Sequence, residues 1–476
     1  MKGLTKTKKC LSILLVLVMV MSLGACSKGT KDQVTTATVE PTVAASDDAT
    51  STKDTTTPEV TEPAEDTSSA LEPNLTDPIE LRFSWWGGDT RHAATIAALD
   101  AFTAKYPNIK VTPEYGAWSG WPENIATQIA GKTEADVLQI NWNWIYQFSP
   151  KGDKFFDINQ LSNIISTSNY PQELLDLMSV NGSLQGVPIG TTGRVFYWNE
   201  ATFAKAGIAI PTSFAEIVAA GETFKTVLGD DYYPIALGEY DRILLLMYYL
   251  HQTYGKEWVV DKQVNYSVEE VKAGLDWINM LEDKHVTPSL ATIAGDGAAS
   301  LDKNTKWMEG KYAGIYEWDS SASKFQSALS EGQNFVIGQF PTDLGTNKSG
   351  FTKISMGLSV SANSKHPAEA ALLIEYLTTD PEGVKILGLE RGTVSNSAAE
   401  ATLVSEGLLT GLTYDANKLV MGFKGYDIDP NFENAALKDA TGYYYEVFQN
   451  LSYDQTDTAT AAQYLIDCVN EVNAAN

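Results

Sequence analysis

The sequence is poor in the residues that carry most metal and redox chemistry. Three cysteines, at positions 10, 26 and 468, and four histidines, His92, His251, His285 and His366, are scattered through 476 residues. Cys10 falls in an N-terminal leader and Cys26 at its end, which leaves Cys468 as the single cysteine of the remaining chain. That excludes a disulfide framework and a cysteine-based metal site. The spread of the histidines argues against a histidine metal centre, and no metal or cofactor is expected. There is no Gly-x-Ser-x-Gly elbow, no His-Glu-x-x-His and no phosphate loop, and Gly87-Gly88 is too short for a dinucleotide fingerprint. Positive charge is scarce. Lys and Arg number 34 against 60 Asp and Glu, a net charge of -26, so nucleic acid or an anionic surface is a poor partner. Beyond the leader no apolar run is long enough to cross a bilayer, and the longest candidate, Ile243–Leu250, fits a buried helix.

What is present begins with an address. Lys2, Lys6, Lys8 and Lys9 precede the apolar run Leu11–Met21, and Leu23-Gly24-Ala25-Cys26 follows. This order fits a signal peptide over residues 1–25. A cysteine at the first mature position resembles the lipobox of bacterial lipoproteins, which implies lipidation of Cys26. Residues 26–78 are rich in Thr, Ser, Ala, Pro, Asp and Glu and hold no aromatic residue. Such a segment cannot bury enough apolar surface to offset its chain entropy, so a disordered tether is expected. A lipid on Cys26 would anchor the chain on the extracellular face of the cell membrane without spanning it.

The body from Ile79 onward alternates strand and helix signals. Ile79–Trp86 reads as a strand, His92–Tyr106 as an amphipathic helix and Ile109–Tyr115 as a second strand, a β-α-β unit with parallel strands. Asp136–Ile140 reads as a further strand that breaks into Asn141-Trp142-Asn143-Trp144. Two indoles and two carboxamides in four residues need partners if buried, and they also suit a ligand with apolar faces and hydroxyl edges, such as a sugar. Further on, Asn181-Gly182 predicts a hairpin turn. Ser213 predicts the cap of a helix to Leu228, with Glu216 three residues on. Tyr233–Leu237 predicts a short strand and Ile354–Val360 another. The C-terminal part is mostly helical.

Several segments, in this order, carry a resemblance. Trp85-Trp86-Gly87-Gly88-Asp89 closes the first strand. Phe102-x-x-x-Tyr106-Pro107-x-Ile109-x-Val111 joins a helix to the second. Ala135-Asp136-Val137 leads the next. Asn181-Gly182 through Val187-Pro188 and then Tyr197-x-Asn199, Pro211-Thr212-Ser213-Phe214-x-Glu216, Trp307-Met308-x-Gly310-Lys311-Tyr312-Ala313 and Thr379-Asp380-Pro381-Glu382-Gly383 follow. Together they resemble extracellular solute-binding protein family 1, the carbohydrate-binding lipoproteins of bacterial ABC importers, which include maltose-binding protein. The match runs from about Ile79 to Asn396 and weakens beyond; Phe214 stands where Trp is commoner. The resemblance implies an α/β fold of two lobes with a hinged cleft. One lobe would be 79–192 plus 352–397 and the other 193–351 plus 398–476. The crossings would lie near Thr191–Arg194, Phe351–Ile354 and Ser395. It also implies a monomer that captures an oligosaccharide by hinge closure and delivers it to the permease subunits.

In open α/β sheets ligands sit beyond the carboxyl ends of strands. The residues expected there are Trp86, Asp89 and Arg91 after the first strand, Trp118 and Trp121 after the second, and Asn143 and Trp144 after the third. From the other lobe come Glu239, Tyr240 and Arg242, then Trp318 and Asp319, with Thr192 and Arg194 at the first crossing. Trp277 and Trp307, on helices, are expected to be core or surface packing, Trp85 to lie in the core, and Trp142 beneath its neighbours. The number of strand-end indoles predicts a ligand of two or more sugar units. The resemblance of WWGGDTRH and the NWNW loop to importers of plant cell-wall fragments implies a β-linked oligosaccharide such as a manno- or xylo-oligosaccharide, with malto-oligosaccharides as the alternative. The rival classes are a secreted glycoside hydrolase, which would need a paired acid and nucleophile, and a surface glycan-adhesion protein without a closing cleft.

Overall fold

The computed structural model describes residues 71–475. The leader, Cys26 and most of the expected tether lie outside that range. Ile79–Trp86 is an interior strand of the larger, five-stranded sheet. It pairs in parallel with Ile109–Gly116 on one side and with Val137–Ile140 on the other. Leu81, Phe83 and Trp85 on one face have no exposure, and Ser84 and Trp86 on the other are nearly as buried. A strand covered on both faces is what a parallel sheet with crossover helices demands. The first crossover helix, Asp89–Lys105, turns Thr95, Ala98, Leu99 and Phe102 inward, a spacing of three and four residues. Its chain leaves at Tyr106-Pro107.

The sheet is completed from far along the chain. Gly357–Val360 lies antiparallel beside Val137–Ile140, and Val187–Pro188 lies beyond it. A second sheet is antiparallel, with Arg194–Asn199 between Gly314–Trp318 and Phe335–Ile337. Between the two sheets the chain crosses and recrosses. Thr191–Thr192 pairs with Lys353 and Ile354, and Gly350–Ile354 also pairs with Lys424–Asp427. The third crossing joins this group through Ser395 N–H, which donates to Ile189 O at 2.8 Å. Two α/β layers joined by neighbouring crossing segments are the two-lobed architecture with an interlobe cleft.

Most expected elements are found within a residue or two. Asn181 (φ 52°) and Gly182 (φ 83°) both adopt the left-handed conformation between Ser179–Val180 and Ser183–Leu184, the requirement of a two-residue hairpin turn. Three expectations need correction. Tyr233–Leu237 forms only isolated bridges to Tyr312 and Ile315, because Pro234 inside it lacks an N–H for a ladder. Ile354–Val360 is two strands, since Ser355 N–H turns away to Gly190 O. Ser213 caps its helix, but the Glu216 carboxylate accepts from Thr212 N–H instead of closing back on Ser213. Ile243–Leu250 belongs to the helix Glu239–Tyr254, which is buried on nearly every side. Among the described residues no helix is long and apolar enough to cross a membrane.

Candidate binding site

The carboxyl ends of the three parallel strands each deliver one indole to the same place. Trp86 ends the first strand, Trp118 follows the second, and Trp144 follows the third as the first residue of a short helix. Trp86 lies 5.1 Å from Trp118 and 5.4 Å from Trp144, ring centre to ring centre, and Trp118 and Trp144 stack at 6.1 Å with planes 15° apart. Trp85 points to the opposite face, stacked on Tyr115 at 5.0 Å and bonded to His92. That is the alternation expected of adjacent strand residues. Trp118 and Trp144, with Pro122, Asn141, Gln147 and Lys438, wall a cavity of about 130 Å³.

The opposite wall comes from late in the chain. Glu433, at the end of the short helix Pro430–Glu433, has a fully buried side chain. Its carboxylate accepts from Asn141 Nδ2 at 3.1 Å, Trp142 Nε1 at 3.3 Å, Lys353 Nζ at 2.5 Å, Lys438 Nζ at 2.6 Å and Tyr240 Oη at 2.9 Å. Its backbone carbonyl accepts from Asn143 Nδ2 at 2.7 Å. One carboxylate thus ties the third-strand loop of the first sheet to the crossing strand of Lys353 and to the helix of Tyr240. Burial alone would raise its pKa, but the charges and hydrogen bonds of Lys353 and Lys438 outweigh that and hold it well below the usual carboxylate range. Burial draws Lys353 down to about 8, which leaves it charged at neutral pH. Lys438 Nζ stands 5.3 Å from the Trp118 ring centre and 4.8 Å from that of Tyr240, a cation held between two aromatic faces.

Arg194 completes the wall. Its guanidinium bonds Asp241 and the Tyr316 carbonyl, lies 3.7 Å from Glu317, and sits 5.0 Å over Trp318 and 5.5 Å over Tyr240. Trp318 also lies under Lys353 at 4.6 Å. Of the expected residues, Trp118 and Trp144 line the cavity, and Trp86, Asn143, Arg194, Tyr240 and Trp318 join it through these ring, cation and hydrogen-bond contacts.

Other expected site residues lie elsewhere. Arg242 is 1% exposed and turns to Glu282, Pro288 O and Leu237 O in the helical layer behind the cleft. Arg91 is buried beneath the cleft floor on the carbonyls of Trp86 and Glu390. Trp121 packs on Gly116 and does not join the indole group. Asp89 is exposed in the first turn of its helix, and Glu239 bonds Gln449 at 2.9 Å. Thr192 and Asp319 meet each other. Asp319 accepts from Thr192 Oγ1 and from Asn417 Nδ2 at 2.6 Å, and its N–H donates to Gly193 O. They clasp the first crossing instead of facing the cavity. Burial pushes the Asp319 pKa up to about 6 in spite of those hydrogen bonds.

Glu433, Lys438, Lys353 and Asn141 were not expected. Asn141 lay within the loop already singled out. The other three are single charged residues on short or irregular segments, and no local pattern marks them.

Among the described residues no group of three or more His, Cys, Asp or Glu is placed to hold a metal ion. The arrangement suits recognition of a ligand with flat apolar faces and polar edges, with charge available on one wall.

Solved structures of other proteins share this architecture. A periplasmic oligogalacturonide-binding protein of Yersinia enterocolitica, solved with saturated digalacturonic acid, is 33% identical. The alignment covers 83% of this chain and 99% of that one, with a TM-score of 0.80. A periplasmic solute-binding protein of Pectobacterium atrosepticum is 34% identical over the same shares, with a TM-score of 0.77. A binding protein of Brucella abortus is 25% identical over 215 residues, 43% of this chain and 51% of that protein; the chain thus spans about half the length of this relative. The family described as bacterial extracellular solute-binding protein matches residues 88–384, from the turn after the first strand to the late helix pair. With its sheets, crossings and cleft all in that order, the chain belongs to the bacterial extracellular solute-binding protein family.

Proposed function

We propose that this protein is the substrate-capturing component of an ABC importer and that its cargo is an oligosaccharide bearing carboxylates, of the oligogalacturonide class. The observation that carries the acidic cargo is Lys438. Lys353 and Lys438 both pair with Glu433, and Lys438 lines the cavity beside Asp439 and Glu123 with its ammonium between the Trp118 and Tyr240 rings. A protein of net charge -26 that places a lysine ammonium between two aromatic faces on its cavity wall offers a charged donor to an anionic sugar. The digalacturonic acid held by the Yersinia relative supports the same class. The neutral β-linked manno- and xylo-oligosaccharides expected from the sequence would offer Lys438 hydroxyls but no carboxylate. In this reading Trp118, Trp144 and Trp86 stack on sugar faces, Asn141 and Tyr240 read hydroxyls, and Lys438 meets a uronate.

The lobes are read as 79–192 plus 352–397 and 193–351 plus 398–476, closing about the crossings on a single ligand. Cys26 is read as the lipid anchor, with residues 26–78 as the tether. Recognition without bond cleavage is the reading that the family supports, and Glu433, which two lysines keep ionised, is not a general acid.

Calorimetric titration tests the cargo. Saturable heat is expected with di- and trigalacturonate, weakening as salt rises. Heat only with xylo-, manno- or malto-oligosaccharides would replace the acidic reading, and release of reducing ends during incubation would replace binding by catalysis.

A further inference from the structure

Beneath the cleft floor two guanidinium groups are buried together with neutral partners. Arg91 Nε donates to Glu390 O at 2.8 Å and its Nη1 to Trp86 O at 3.1 Å. Arg391 Nε donates to Gln139 Oε1 at 2.8 Å and its Nη2 to Thr95 Oγ1 at 2.9 Å. The two networks meet, because Thr95 Oγ1 itself donates to Arg91 O and Gln139 Nε2 donates to Trp86 O. The carboxylate that acts on both is Glu390, whose Oε2 accepts from Thr90 at the surface. Two positive charges therefore face one negative charge. Burial draws Arg91 down to about 10 and Arg391 to about 9, and the charge of Arg91 adds to the fall at Arg391.

One donor remains. Arg391 Nη1 is buried and has no hydrogen-bond partner among the described residues. Arg391 lines a cavity of about 30 Å³, whose wall is otherwise largely apolar and includes Ile189, Leu377, Leu387 and Val394. Tyr170 lines the same cavity, with its hydroxyl buried beside Thr378, Thr379 and Asn396. A cavity needs about 10–15 Å³ to take one water-sized particle, so this one admits an ion of that scale and excludes a sugar ring. A water molecule would satisfy the donors and leave the charge uncompensated, which is costly in a dry interior.

We propose that this cavity, behind the cleft and beside the crossing segments, binds one small monovalent inorganic anion of the chloride class, held by Arg391 Nη1 and Tyr170 Oη. The site is independent of the sugar cleft. Its charge stoichiometry follows from the two arginines and Glu390, and its selectivity for a small ion from its volume.

Bromide is the probe. Crystals of the protein soaked in sodium bromide are expected to show an anomalous peak within about 3.3 Å of Arg391 Nη1. Thermal unfolding of the full chain is expected to rise by on the order of 2 °C in chloride or bromide over gluconate at equal ionic strength. The rise should vanish in Arg391→Met. Where that variant fails to fold, Tyr170→Phe keeps the cavity wall and should weaken the shift. Density at the site without an anomalous signal would assign it to water and overturn the proposal, as would equal melting in gluconate and halide. Oligosaccharide titrations do not enter this test, so its failure leaves the cargo reading standing.

Discussion

The two walls of the cleft are made in different ways. The first wall is aromatic and local. Trp86, Trp118 and Trp144 each follow a parallel strand, and the sheet brings their rings within 5.1–6.1 Å of one another. The second wall is charged and assembled from afar. Glu433 and Lys438 come from the C-terminal segment, Lys353 from a crossing strand, and Arg194 and Tyr240 from the smaller sheet and its helix. The first wall would keep its shape if the lobes separated, because sheet pairing holds it. The second exists only while distant segments stay together. The difference separates a platform held by one sheet from a wall held by contacts between distant segments.

The largest expected effect falls on the charged wall. Glu433→Gln keeps the shape and leaves Lys353 and Lys438 facing each other without a carboxylate. Removing one member of a buried ion pair costs about 3–5 kcal/mol. Urea unfolding should show a loss of that size at pH 7. The sign of the pH dependence follows from the depressed pKa. Stability from Glu433 is present above its unfolded value, about 4.3, and is lost as pH falls below it, so the two proteins should converge in acid. An unchanged midpoint at pH 7 would mean that the carboxylate ties nothing together.

The contrast between the walls is also the contrast between what could and could not be read in the chain. The aromatic wall was legible because strand, turn and indole are contiguous; Trp85 and Trp86 could even be assigned to opposite faces by alternation. Asn141-Trp142-Asn143-Trp144 was legible as a partner-hungry tail, and Trp142 does lie beneath its neighbours on Glu433. The charged wall was not. Glu433 is an ordinary carboxylate in Pro430–Glu433, and its five side-chain partners come from residues 80 to 292 positions away, Lys438 excepted. Strand-end logic also over-reached. It placed Arg91, Arg242 and Asp319 in the cleft by position, whereas each folds back on backbone carbonyls or hinge side chains.

Asp319 gives the next effect in size, and it belongs to the crossing, where the two walls meet. Its folded pKa of about 6 lies above the ordinary aspartate value of 3.8. Its protonated form is therefore favoured by folding. That contribution is full below about pH 4 and is lost as pH rises through 6. A pKa displaced by one pH unit is worth about 1.4 kcal/mol, so wild type should lose about 2–3 kcal/mol across that window relative to Asp319→Asn, which does not titrate. Urea midpoints of the two proteins between pH 4 and 7 measure this. Parallel curves would show that Asp319 is solvated and that the crossing is looser than its hydrogen bonds imply.

The smallest effects sharpen the aromatic wall itself. Trp118→Ala removes the most exposed of the three rings. It should weaken oligosaccharide binding by roughly fivefold or more, since stacking contributes about 1 kcal/mol or above, with little change in folding. Asp89→Asn is the counterpart. Asp89 follows the same strand as Trp86, yet it is exposed and serves only the positive end of its helix, an interaction worth about 0.3–1 kcal/mol. Its substitution should leave affinity unchanged and lower stability slightly. Titration calorimetry on both variants separates the cases. If Asp89→Asn lost affinity as Trp118→Ala does, the cleft would extend past the indoles to the helix start, and the platform would be only part of a longer binding surface.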